Sequence, residues 1–170
     1  DYSTGPVTPT AAPSMDIQVS SNFERLLFDV GGRDGIALAE QMRGFEASKA
    51  MQLTNAQRDG AAALFTSMRA DEDDMARAMR WACEDCAEIV DPHTAIGLHA
   101  ARAVELPHDV PVVTLATAHP AKFPDAVERS TGTRPSLPAR VGDLFAREEA
   151  YTELPGTYEA VRDHILGHAA

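Results

Sequence analysis

Along most of this chain, apolar residues recur at helical spacing. Phe23, Leu26, Leu27 and Val30 stand at i, i+3, i+4 and i+7, and Gly31-Gly32 then stops the run. Ser21 and Glu24 have the spacing of a capping box, which predicts a helix start there. A second helix is predicted over about 34–50 with Leu38, Met42 and Phe45 facing inward, and a third over 55–69. Asp71-Glu72-Asp73-Asp74 then puts four acids in the first turn of a further helix, where they suit the positive end of its dipole. Its inner stripe reads Met75, Met79, Ala82, Cys83 and Cys86. Asp91-Pro92 is an N-cap followed by proline at the first helical position, opening a helix that carries Ile96, Ala100 and Val104. Later helices are predicted near 124–130, 138–147 and 157–167, the last with Tyr158, Val161 and Ile165 on one face.

One segment breaks this periodicity. Val112-Val113-Thr114-Leu115-Ala116 is continuously apolar and β-branched, the pattern of a strand near 111–116 buried on both faces, as in a parallel sheet covered by helices. A single strand leaves its backbone donors and acceptors unpaired. Its expected sheet partners therefore lie outside this sequence. Residues 1–13 read as an extended Thr/Pro-rich connection and 14–170 as one incomplete catalytic portion. The start at Asp1, without an initiator Met, adds to the expectation of a segment from a longer chain.

Composition narrows the function classes. Of 170 residues, 44% are hydrophobic and 24% charged, a globular balance rather than a disordered one. A net charge of −11 argues against nucleic acid, which is bound through clustered Lys and Arg. No apolar run approaches the roughly 18 residues of a membrane span, and no basic-then-apolar leader opens the chain. A cytoplasmic location without membrane contact is expected. Only two lysines occur, Lys49 and Lys122.

Several clusters invite a chemical reading and have a plainer one beside it. Cys83-Glu84-Asp85-Cys86 is a C-x-x-C, but no second cysteine pair exists to complete a zinc site, and both thiols fall on an apolar stripe. Core packing is the first reading, redox sensing the second, and no metal site is expected. His164 and His168 suit a helix C-terminus, and His99 reads as a satisfied core histidine. Asp91-Pro92-His93-Thr94-Ala95 presents an imidazole and a hydroxyl in a first turn whose N–H groups could meet an anion; capping alone also accounts for it. Thr117 and His119 fall just past the carboxyl end of the strand-like run, where ligands collect in open α/β sheets.

Three segments together resemble the threonine synthase family: Pro13-Ser14-Met15-Asp16-Ile17-Gln18-Val19-Ser20-Ser21-Asn22-Phe23-Glu24-Arg25, Asp91-Pro92-His93-Thr94-Ala95, and Thr117-Ala118-His119-Pro120-Ala121-Lys122-Phe123. Their order, and Leu154-Pro155 before a terminal helix, also fit. The resemblance implies an α/β fold, the C-terminal portion of a tryptophan-synthase-β-like, type II pyridoxal-phosphate enzyme. It implies a lyase of threonine biosynthesis that converts O-phospho-L-homoserine and water to L-threonine and phosphate. The pyridine ring of pyridoxal 5'-phosphate serves there as electron sink. In that fold type a Ser or Thr hydroxyl meets the pyridine nitrogen, and Thr117 matches that position. A hydroxyl does not stabilise a full pyridinium as a carboxylate does, so the ring withdraws electrons less strongly. His119, Lys122, Ser14, Asn22 and Arg25 become candidates for substrate contact or for shaping the site.

The departures from the family concern the chemistry itself. Its Schiff-base lysine and Gly-rich phosphate loop belong to the N-terminal half and have no counterpart here. Lys122 lies in the C-terminal motif, and Gly31-Gly32 ends a helix. The expected partners are the missing N-terminal part of the same enzyme and a small phosphorylated amino acid, and the segment alone is expected to be inactive. The rival reading is a non-catalytic helical interaction domain derived from a type II enzyme. A related type II lyase acting on phosphoserine or serine is a nearer alternative.

Overall fold

The computed structural model describes residues 2–107 and 109–168 and separates into two units, Asp1–Pro135 and Ser136–Ala170. The first contains α1 (Ser21–Val30), α2 (Gly35–Ser48), α3 (Asn55–Ala62), α4 (Glu72–Cys86), α5 (Pro92–Ala103) and α6 (Pro124–Thr131). A two-residue antiparallel pair, β1 (Tyr2–Ser3) with β2 (Ala50–Met51), is its only sheet among the described residues; Tyr2 faces Met51 and Ser3 faces Ala50. The second unit holds two short 3-10 turns, Ala139–Val141 and Leu144–Ala146, and α7 (Tyr158–His168).

The two apolar clusters of the larger unit gather around its longer helices. α4 buries Met75, Ala78, Met79 and Ala82 and packs against α5 and α6; Met75, Ala78 and Met79 form one core cluster with Ala12, Ala95 and Val127. A second cluster, Leu27, Phe45 and Met51, joins α1, α2 and β2, with the Tyr2 ring 4.7 Å from that of Phe23 and 5.1 Å from that of Phe45. Start signals are well formed. Asp71 with Asp74 and Thr54 with Gln57 complete reciprocal capping boxes at α4 and α3, and Asp34 caps α2 through Ile36 and Ala37 N–H.

Several expectations need correcting. No strand forms over 111–116. The run has no ladder partner among the described residues, and Val112, Val113 and Leu115 are 51, 80 and 74% exposed. Backbone that cannot pair with another strand on the same chain has no sheet to enter. α1 starts without a capping box, because Ser20 rather than Ser21 is the N-cap and makes no side-chain cap bond. The Ser20 N–H, which a capping-box Glu would accept, donates instead to the Tyr2 hydroxyl oxygen at 3.1 Å. α3 ends at Ala62 rather than near 69, since it buries no residue and leaves Leu64 and Phe65 exposed. The predicted helix over 138–147 is two 3-10 turns interrupted at Gly142, with Leu144 and Phe145 exposed. Cys86 is exposed and Cys83 half-buried, because α4 ends at Cys86 and Ala87 turns left-handed at φ 56° beyond the core cluster. Val104 is exposed at the C-cap of α5.

The α4–α5–α6 cluster makes the fold sensitive to α4. Met75→Ala removes a side chain only 1% exposed and leaves a cavity, which is expected to cost about 2–5 kcal/mol, read as a lower urea midpoint with an unchanged slope.

Candidate functional site

The first turn of α5 organises the polar centre of the larger unit. Asp91 is fully buried and accepts on both carboxylate oxygens. Its Oδ2 accepts the His93 backbone N–H at 3.0 Å and lies 2.8 Å from His93 Nδ1; its Oδ1 accepts the Thr94 N–H at 3.1 Å and the Thr94 hydroxyl. Two further bonds leave this cluster for distant segments. His93 Nε2 accepts the Ser14 N–H at 3.2 Å, and Thr94 Oγ1 accepts the Thr117 N–H at 3.1 Å. An Nε2 that accepts puts the imidazole proton on Nδ1, aimed at Asp91. Burial pushes the Asp91 carboxyl up. The hydrogen bonds from the Thr94 and His93 side chains and from their backbone N–H groups outweigh it and hold the group below the ordinary carboxylate value.

His93 of this cluster lines a cavity of ≈ 380 Å³ with Ser14, Ile96, Thr117, Lys122 and Phe123, among others. The walls are mainly apolar, with the Phe123 ring 4.7 Å from the His93 ring. Lys122 is exposed, and it is the cation among the lining residues. Gly97, on the same helix, lets the 114–117 segment come close: a Cβ there would stand 3.0 Å from Thr114 Cγ2. A larger groove of ≈ 770 Å³ opens at the start of α4, bordered by Asp16, Asp71, Glu72 and Asp73. Four carboxylates against the single Arg69 in its lining make it a poorer place for a phosphorylated ligand than the cavity with Lys122.

The structure thus brings Ser14, Thr117 and Lys122 to one cavity. His119 does not line it; its Nδ1 accepts the Ala121 N–H at 3.1 Å and caps the 3-10 turn Pro120–Lys122. Asn22 and Arg25 do not line it either. They pair on α1, Arg25 donating to Asn22 Oδ1 at 3.1 Å. For Asp91, His93 and Thr94 the sequence supports both capping and an anion-facing first turn, and it names none of the three as a site residue. Their signal was the Asp-Pro-His-Thr order, which puts a cap carboxylate beside an imidazole and a hydroxyl. His99 sits half-buried on α5 with Nδ1 3.7 Å from Asp74 Oδ1. His168 Nδ1 bonds the His164 carbonyl at 2.8 Å. Among the described residues no group of three or more His, Cys, Asp or Glu could hold a metal, and no helix is long and apolar enough to cross a membrane.

Residues 94–165 match the family described as "Threonine synthase, C-terminal". The threonine synthase of Pseudomonas aeruginosa is 44% identical over 168 residues, covering 98% of this chain and 36% of that protein. That of Corynebacterium glutamicum is 32% identical, covering 92% and 33%. A solved threonine synthase from Brucella melitensis with pyridoxal phosphate bound superposes with a TM-score of 0.84 at 39% identity, over 98% of this chain and 36% of that one. A yeast threonine synthase structure gives 0.77 at 28% identity. The chain spans about a third of the length of these relatives. The expected fold, the mostly helical portion of a type II pyridoxal-phosphate enzyme, therefore holds, apart from the strand.

Asp91 carries a testable consequence. Because its folded pKa is depressed, its stabilisation is present above the unfolded value of about 3.9 and is lost as pH falls through the folded value. Asp91→Asn would turn an amide NH2 against either the His93 or the Thr94 donors. The variant is expected to lose about 1–3 kcal/mol at pH 7 and to show a shallower loss of stability below about pH 4, measured by urea unfolding across pH.

Proposed function

We propose that the chain is a C-terminal segment of the threonine synthase family and that it forms one wall of a pyridoxal-phosphate site, a reading supported by the family match over residues 94–165 and the 44% identity to a threonine synthase. The enzyme it completes converts O-phospho-L-homoserine and water to L-threonine and phosphate. The remainder of that enzyme is its partner, and the reading includes a cytosolic location and no nucleic-acid partner, the latter supported by the net charge of −11. The observation that carries the reading is the meeting of Ser14, Thr117 and Lys122 at one apolar-walled cavity.

The residues present fit the ring of the cofactor and not its other ends. Apolar walls with one lining threonine hydroxyl suit a flat heteroaromatic ring with a single nitrogen. The one glycine lining the cavity, Gly97, lies inside α5, so no glycine-rich N–H cradle for a phosphate is built there. When bound, pyridoxal phosphate supplies an electron sink for the reacting amino acid. This chain's residues bind and orient. Thr117 would hold the ring nitrogen through its hydroxyl, and Ile96, Ala100 and Phe123 would keep water from the ring. Lys122 places positive charge at the cavity mouth for a phosphorylated substrate, and Ser14 offers a hydroxyl to its polar groups. His119 shapes the loop by capping the turn that carries Lys122. Asn22 and Arg25 are kept as secondary candidates on α1. The lysine that carries the cofactor and the phosphate cradle come from the rest of the enzyme. Val112, Val113 and Leu115, exposed here, join a sheet whose other strands lie there.

In the complete enzyme, Thr117→Ser keeps the hydroxyl and is expected to keep cofactor affinity. Thr117→Val is expected to weaken it about 3- to 10-fold, with a fall in kcat/KM for phosphohomoserine. Titration of apoenzyme with cofactor, alongside initial rates, reads both; equal affinity for the two variants would remove Thr117 from the ring nitrogen.

A further inference from the structure

Thr117 sits on a segment with almost no structure of its own. Residues 111–118 form neither helix nor strand, and their apolar side chains are largely exposed. Among the described residues, the one hydrogen bond from the backbone of this segment is the Thr117 N–H to Thr94 Oγ1 at 3.1 Å. That bond lies at the residue whose hydroxyl faces the cofactor in the reading above. The acceptor is itself fixed. A threonine hydroxyl carries one proton, and Thr94 donates it to Asp91 Oδ1, which leaves its lone pairs free for Thr117. Asp91 is fully buried, Thr94 is 4% exposed, and the Asp91 carboxyl is held ionised by four donated hydrogen bonds. A neutral carboxyl could turn its own O–H toward Thr94 and reverse the order of donation. The absence of a side chain at Gly97 admits Thr114 against the same helix, a second contact that sets how far the segment stands from α5.

We propose that Thr94, oriented by Asp91, is a positioning residue that fixes the Thr117 hydroxyl toward the cofactor ring. It touches neither cofactor nor substrate; it acts through the Thr117 backbone. The order is Asp91 carboxylate, Thr94 hydroxyl, Thr117 N–H, Thr117 hydroxyl, and each bond sets the orientation of the next group. The His93 arm does the corresponding work for Ser14 on the other side of the cavity, so a single buried carboxylate sets two site segments. Cap formation alone would require only the Thr94 and His93 backbone bonds to Asp91. It gives no reason for the hydroxyl to reach 23 residues along the chain.

This inference rests on Thr117 meeting the ring, so its test keeps the two apart. In the complete enzyme, Thr94→Val, Thr94→Ser, Thr117→Val and the Thr94→Val/Thr117→Val pair are compared. The readouts are cofactor dissociation constant, the absorbance maximum of the bound cofactor and the melting temperature of the apoenzyme. Thr94→Val retains shape and leaves the Thr117 N–H without its acceptor; Thr94→Ala serves if the valine variant does not fold. The expected result is a 3- to 10-fold weaker cofactor constant and a displaced absorbance maximum for Thr94→Val. Both should be restored by Thr94→Ser, and the double variant should be no weaker than Thr117→Val alone. Wild-type affinity and spectrum in Thr94→Val, beside a weakened Thr117→Val, would overturn the positioning role while leaving the ring contact standing. Additive losses in the double variant would overturn it too. A Thr117→Val enzyme with unchanged cofactor affinity would remove the ring contact and the positioning role together.

Discussion

The site depends on one buried carboxylate. Asp91 gives up its hydration and regains it as four donated hydrogen bonds, from two backbone N–H groups, an imidazole and a hydroxyl. A buried charge with fewer partners would cost several kcal/mol, so the arrangement is satisfied as a whole or not at all. That condition fixes the rotamers of His93 and Thr94, and through them the backbone at residues 14 and 117. Segments more than a hundred positions apart in the chain thereby line one cavity. The helix start, the core contact of Ala95 and the site are consequences of the same turn.

The rest of the unit explains why that turn stays put. α5 is clamped between α4 and the start of the chain by a small apolar cluster, and α6 closes it through Val127, which is fully buried. The regions that this core does not reach are the ones that look outward. The 111–116 run is apolar and unpaired, and the second unit keeps Tyr158 and Ile165 exposed on α7. Apolar surface on this scale is a mark of interfaces. The chain spans about a third of the length of the relatives it matches.

Much of this was legible in the residues, for identifiable reasons. Helices with a buried stripe and a cap were readable: α2 from Leu38, Met42 and Phe45, α4 from its acids and methionines, α5 from Asp91-Pro92. Helix length was overread where nothing apolar is buried: the helix from Asn55 stops at Ala62, and the segment after Pro138 forms only 3-10 turns. The strand was misread differently. Its residues have strand character, but a strand is a property of a pair, and among the described residues this run has no pairing partner. In the site, Thr117, Lys122 and Ser14 were reached through motif order and do converge, whereas Asn22 and Arg25 stand apart on α1. Asp91, His93 and Thr94 were underread, since an Asp before a Pro is accounted for by capping and nothing local reveals which remote N–H groups the imidazole and hydroxyl will accept.

The most direct test is a crystal structure of the complete enzyme with pyridoxal phosphate bound. The account predicts Thr117 Oγ1 at hydrogen-bond distance, about 2.7–3.2 Å, from the pyridine nitrogen, with the Thr117 N–H still donated to Thr94 and Asp91 still dry beneath it. A ring nitrogen facing another group, or a Thr117 backbone released from Thr94 in the loaded site, would contradict it.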